Sequence, residues 1–359
     1  MKNNLFLMIS LKKLPCMKQL LFIIPALFFF AFAAVAQDYS NPGEYMDAIS
    51  KQRENVSKKF MAYASAAAHG KKAKKVENLR AKLLDEVQEA RMNIAGLPSF
   101  KGDKSYRDST VSFIKLYYHV LNEDYSKIIN MEEIAEQSYD DMEAYMMAQE
   151  MVDKKLDEGN DKMKLATETF AAKNNITLTK ESSVLADKMK QVGETNKYYN
   201  AIYLIFFKAY KQEGYMMEAV SKNNITGIEQ NKNALLKYAQ EGLEKLKSQK
   251  PFQGDPALLN ACKTVMNFYV REVNEKLNTI SEFYLIKERF ETIKKEFQKK
   301  SSPSKEDVDT YNKSVKDINS ASDAFNKASQ SLNKERNDVL NDWNKAVKVF
   351  FDEHTPHYN

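Results

Sequence analysis

His119 and Glu123 stand four residues apart, a spacing that puts an imidazole and a carboxylate on one helix face. Such a pair could hold a metal or move a proton. A di-metal site in a helical bundle also needs carboxylates from facing helices and a second histidine. Arg271 stands 152 residues after His119, and no E-x-x-H occurs, so the pair is read as structural. His69 falls at the end of a helical pattern, where a donor or cation suits the last carbonyls. His354 and His357 fall in the C-terminal tail and are granted weak adventitious metal binding at most.

The remaining candidates are apolar by context. Cys262 sits among Leu258, Val265 and Tyr269 at helical spacing, with no cation or histidine near it in sequence. It is a small buried hydrophobe rather than a nucleophile. Tyr117, Tyr118, Tyr198, Tyr199 and Tyr203 could bring hydroxyls to the rim of a cleft. With 19 Tyr, 20 Phe and 16 Met, a haem or hydrophobic-ligand pocket is conceivable. Most of these residues fall on periodic faces, which points to core packing instead. Lys71-Lys72-Ala73-Lys74-Lys75 is a solvated turn. Asp108-Ser109-Thr110 is similar to a short O-glycosylation acceptor, but Thr110 falls on an inward face. There is no phosphate-binding glycine loop, no G-x-S-x-G and no H-E-x-x-H. No catalytic, cofactor-binding or metal residue is assigned.

These positions need helices to carry them. The chain has 10 Gly and 8 Pro in 359 residues, against ordinary usage of about 7% and 5%. Lys, Glu, Ala, Leu, Met and Gln, all good helix formers, are plentiful. The fold class is all-α. Pro42, Pro98, Pro251, Pro256, Pro303 and Pro356 fall where periodicity breaks. The pattern predicts helices over about 43–69 and 76–96, one from about 104, and long ones over 131–172 and 304–351.

Phe100-Lys101-Gly102-Asp103 returns as Phe252-Gln253-Gly254-Asp255, 152 residues later. Glycine suits a tight turn, and each aspartate suits a helix N-cap. Tyr106, Thr110, Phe113, Tyr117 and Leu121 match Leu258, Cys262, Val265, Tyr269 and Val273 at that offset. Tyr45 to Ile49 matches Tyr198 to Ile202. At the far end, Leu178-x-Lys180-Glu181 pairs with Leu332-x-Lys334-Glu335, and Val184-Leu185 with Val339-Leu340. Self-similarity at a fixed period marks a repeat. Two tandem duplicated helical bundles are expected, with long helices, over 37–193 and 194–359. Tyr198 to Tyr210 is the most apolar stretch after residue 36 and is expected in the second core.

Residues 1–36 read as a cleaved signal peptide. Leu20 to Ala36 is apolar, Lys12, Lys13 and Lys18 precede it, and Ala34-Val35-Ala36 supplies the small-x-small cleavage pattern. Met1 and Met17 are both possible starts. Gln37 stands where a lipoprotein would carry cysteine. With Cys16 in the leader, Cys262 has no disulfide partner. Four of the 54 basic residues also lie in the leader. The rest nearly balances 49 acidic residues and has no field for nucleic acid.

The leader ending Ala34-Val35-Ala36-Gln37, the two-unit helical body and the lack of enzyme signatures resemble uncharacterised exported surface proteins of Bacteroidetes and spirochaetes. That resemblance brings no catalytic residues with it. The expected function is a non-enzymatic envelope or surface protein, in the periplasm or at the cell surface of a Gram-negative-type bacterium. It would bind an unknown envelope or protein partner, with membrane contact only through the leader. The alternative is a periplasmic carrier of haem or another hydrophobic ligand in a Tyr/Met-lined pocket.

Overall fold

The computed structural model describes residues 39–124, 135–179 and 183–358. The proposed signal peptide, the start of the helix expected over 131–172, and Lys180-Glu181 lie outside these residues. The described chain is all-α. Its helices are α1 (Pro42–Ala68), α2 (Ala73–Ala95), α3 (Ser105–His119), α4 (Tyr139–Lys173), α5 (Val184–Ser221), α6 (Ile225–Ser248), α7 (Ala257–Arg271), α8 (Leu277–Gln298) and α9 (Lys305–His354). Five-residue π-turns, Val120–Asp124 and Glu272–Lys276, follow α3 and α7. No described helix is long and apolar enough to cross a membrane.

Capping sets several boundaries. The Asn41 side chain accepts from Gly43 N at 2.7 Å, ahead of Pro42 in the first turn. The Asn224 carbonyl oxygen accepts from Gly227 N at 2.9 Å and starts α6. At α9, Ser304 Oγ accepts from Asp307 N, while the Asp307 carboxylate accepts from Ser304 N. This reciprocal box satisfies two donors the helix leaves free.

The described residues form two compact units. One holds 39–124, 145–192 and 355–358, the other 135–144 and 193–354. A single boundary at 193/194 does not contain this exchange of segments.

The first unit is built around the Phe100 turn. Phe100 N donates to Asp103 O at 3.0 Å, and Asp103 N donates to Phe100 O at 2.9 Å. Lys101 and Gly102 between them have φ of 48° and 84°. Two consecutive left-handed residues make the tight turn, so glycine is needed at the second. Asp103 Oδ1 accepts from Ser105 N at 2.8 Å. Phe100 packs with Tyr45 and Phe170, at ring-centroid distances of 5.4 Å to each. Leu83, Val87, Ala90 and Ile94 of α2, Tyr106 and Ile114 of α3, and Met163 of α4 complete the core.

The second unit has its own Phe252 turn, with Gln253 and Gly254 at φ 50° and 90°. Asp255 Oδ1 accepts from Ala257 N at 2.8 Å. Phe252 lies 5.1 Å from Tyr198 and 5.4 Å from Phe350. Tyr198 and Phe350 are 5.7 Å apart at 31°, as Tyr45 and Phe170 are at 5.7 Å and 32°. Trp343 of α9 stacks on Phe206 of α5 at 4.4 Å. The apolar stretch expected in this core supplies Ile202, Tyr203, Phe206, Phe207 and Ala209, all buried.

The sequence matches at the far end of each unit do not share an environment. Leu178 and Val184 are exposed, whereas Leu332 is buried in α9. The positions of α9 that are buried like those of α4 lie 180 residues on: Val152 and Leu332, Met163 and Trp343, Phe170 and Phe350. The sequence pairing kept an offset near 152 because α9 is longer than α4, 50 residues against 35.

Candidate functional site

Most of the sequence candidates take structural places. His119 Nδ1 lies 3.1 Å from Glu123 Oε1, and both side chains are about half exposed. Thr110 is buried and donates to Tyr106 O at 2.9 Å. Cys262 is buried on the core face of α7, and burial pushes its thiol up, away from the reactive thiolate. Tyr117 and Tyr118 pack on the first core, and Tyr203 is buried in the second. Lys71 to Lys75 are exposed. A shallow groove in the first unit is lined by Ser109, Ser112, Phe113, Leu116, Glu158 and Lys162, among others, and by none of the candidate tyrosines.

The C-terminal residues are ordered against the protein. The His357 ring stacks on His69 at 3.8 Å, and Tyr358 N donates to Ser65 Oγ at 3.0 Å. His354 closes α9, packs 5.0 Å from Phe252 and 4.9 Å from Phe350, and places Nε2 2.8 Å from Asp255 Oδ2. Pro356 ends the periodicity, so sequence reading takes these residues for a frayed tail. Asp255, Glu353 and His354 bring ligand atoms within 4.8 Å of one another and could hold a metal ion. The same turn in the first unit is clamped by Lys173 Nζ on Asp103 Oδ2 at 3.1 Å, a pairing that binds no metal. The Asp255–His354 contact is therefore accounted for as a clamp between turn and helix end.

The most unusual chemistry lies in the second unit. Glu213 of α5, Glu272 at the head of the second π-turn and Arg336 of α9 meet in the interior. Their side chains are 5%, 0% and 14% exposed. Arg336 Nε donates to Glu213 Oε1, and Nη2 donates to Glu272 Oε1 at 3.0 Å. Nη1 donates to Asn333 Oδ1 at 2.7 Å, and Nη2 also lies 3.3 Å from Met217 Sδ. Glu272 Oε2 and the Tyr269 hydroxyl are buried and have no hydrogen-bond partner among the described residues.

One guanidinium thus faces two carboxylates. With both ionised, the cluster carries a buried net negative charge, which a low-dielectric interior disfavours. Burial, and then the neighbouring Glu213 carboxylate, push Glu272 up to about 8. Burial also raises Glu213, against the pull of Arg336. Burial works to lower Arg336, but the two carboxylates overcome it and raise it. Burial and both carboxylates push the Tyr269 hydroxyl upward, so it stays protonated. The arrangement can hold or release a proton in the interior.

These residues escape a motif search because they are spread over 123 positions. A periodicity signal does exist. Glu213 follows Ile202, Phe206 and Ala209; Glu272 follows Val265 and Tyr269; Arg336 falls between Leu332 and Val339. Each is a charge at a core position of an apolar stripe. Comparison with family models, with curated proteins and with solved structures returns no match.

Proposed function

We propose that the chain is an exported, non-catalytic envelope or surface protein with a binding or scaffolding role, built from two copies of one helical bundle. The observation that carries the non-catalytic reading is enclosure. The groups with the strongest perturbation, Glu213, Glu272, Tyr269 and Cys262, are buried inside the second unit. General acid–base and nucleophilic chemistry needs such groups within reach of a substrate.

Support for the duplication comes from pairs of positions in the two units. α3 and α7 each have 15 residues, start 152 residues apart, and each runs into a five-residue π-turn. The aromatic trios around Phe100 and Phe252 repeat their distances and angles. The Asp124–Lys155 ion pair, at 2.8 Å, is answered by Lys276–Glu335 at 4.0 Å with the signs exchanged. Matched this way, the units share an offset of 152 or 153 through the first π-turn and 180 along the last helix.

Purification from the source cells tests the reading. Intact mass should give Gln37 as the first residue, with the protein in the envelope fraction and no stoichiometric small molecule. Haem or lipid detected by absorbance and mass spectrometry in one-to-one amount would instead establish a carrier. A substrate turned over by the purified protein, and lost in a folded variant, would overturn the non-catalytic reading.

A further inference from the structure

The first unit supplies a natural comparison for the buried cluster, and the inference rests on the matching of the two units proposed above. At the offsets of 153, 152 and 180, the counterparts of Glu213, Glu272 and Arg336 are Phe60, Val120 and Leu156. Val120 is fully buried with Leu156 packed against it, and Phe60 packs on the first core. The same scaffold therefore closes with three apolar residues where the second unit keeps three charges. Buried ion clusters are replaced by apolar side chains at little or no cost in stability. The charges are thus not required to close the bundle, and their retention calls for another property that apolar residues lack.

That property is proton binding. We propose that Glu213 and Glu272 hold one proton between them and form, with Arg336, a proton-dependent latch that fixes α9 on α5 and the second π-turn. With one proton present the cluster is neutral, and Arg336 bridges two elements to α9. Loss of that proton leaves two buried carboxylates on one guanidinium, and their repulsion is relieved when α9 lifts. The bare Oε2 of Glu272 is the atom placed to carry the proton, because Glu272 meets Arg336 through Oε1 alone.

The surroundings offer no second cation to the pair. α5 contributes Tyr210 and Met217, and α7 contributes Tyr269, whose hydroxyl is a neutral group. From α9, Glu335 adds a further negative charge that acts on Glu272, and Lys276 of the π-turn is paired with Glu335. α6 and α8 also pack on the π-turn. Glu229 and Lys232 of α6 are paired at 2.9 Å and are bonded to Ser281 and Asn278 of α8. A π-turn at Glu272 suits such a device, since these irregular turns mark places where helices bend for function.

Trp343, the one tryptophan of the sequence, sits on α9 seven residues beyond Arg336 and reports on the latch. In the full-length protein, its emission should shift to the red as pH rises from 6 to about 9.5. An infrared band of a neutral carboxyl should disappear with the same midpoint. Glu272→Gln fixes the neutral form, so both changes should vanish while Trp343 stays buried. A wild-type Trp343 signal that is flat over this range, or a transition unchanged in Glu272→Gln, overturns the latch. The triple variant Glu213→Phe, Glu272→Val, Arg336→Leu separately tests the matching of the units. It should fold with Trp343 buried and show no pH response; failure to fold overturns the matching and leaves the Glu272→Gln arm to decide the latch.

Discussion

Arg336 is the residue on which the second interior depends, because it alone neutralises Glu213 and Glu272. Removing one partner of a buried ion cluster leaves an uncompensated charge, at a cost of about 3–5 kcal/mol. Arg336→Leu alone is expected to lose about that much, measured by urea unfolding followed at Trp343. Restoring the apolar set at the two glutamates should recover most of it. Cys262 makes the opposite prediction. Buried at 0% exposure, with its thiol pushed up by burial, it should resist a thiol reagent in the native protein and react fully in denaturant. Residue chemistry was only half legible beforehand. Cys262 and Thr110 declared their burial through the period of their neighbours. Glu213 and Arg336 did not, because a charge in an apolar stripe has a partner only once distant helices are brought together.

At the scale of elements, the two turns and their glycines were the most legible feature, since only a few residue types tolerate positive φ. Gly254 sits at φ 90°, and the sequence has an ordinary L residue, Gln253, already strained at 50° before it. Gly254→Ala should therefore destabilise the second unit by about 1 kcal/mol or more. Gly214 is different. It lies inside α5 with nothing within 4 Å of an added Cβ. Gly214→Ala should raise stability by about 0.5–1 kcal/mol, the ordinary helix-propensity difference. Paired unfolding curves of the two variants check both signs. The π-turns and the longer α9 were not legible. A π-turn adds one residue without changing the apolar period enough to be seen in a single sequence. The extra length of α9 moves its core positions to an offset that local matching had no reason to try.

At the scale of the whole molecule, the two units differ in their charged interiors, and that difference sets how the protein meets pH. Asp103 is held down to about 2 by hydrogen bonds from Ser105 and by Lys173, and Asp255 is lowered chiefly by His354. A depressed carboxylate adds stability above its unfolded value, and that contribution is lost as pH falls through the folded one. Both units therefore weaken in acid, below about pH 4. Glu272 has the opposite sign. Raised from 4.5 to about 8, it adds stability that is complete below the unfolded value and is lost as pH climbs through the folded one. This second loss belongs to the unit containing Trp343, because Phe60, Val120 and Leu156 give the first unit nothing to ionise at the matching place. Unfolding at pH 6 and pH 9 should accordingly move the Trp343 midpoint to lower urea at the higher pH. The circular dichroism signal, which sums helices of both units, should move less and broaden. Coincident curves by the two probes at both pH values would mean that the buried carboxylates do not govern the alkaline limit.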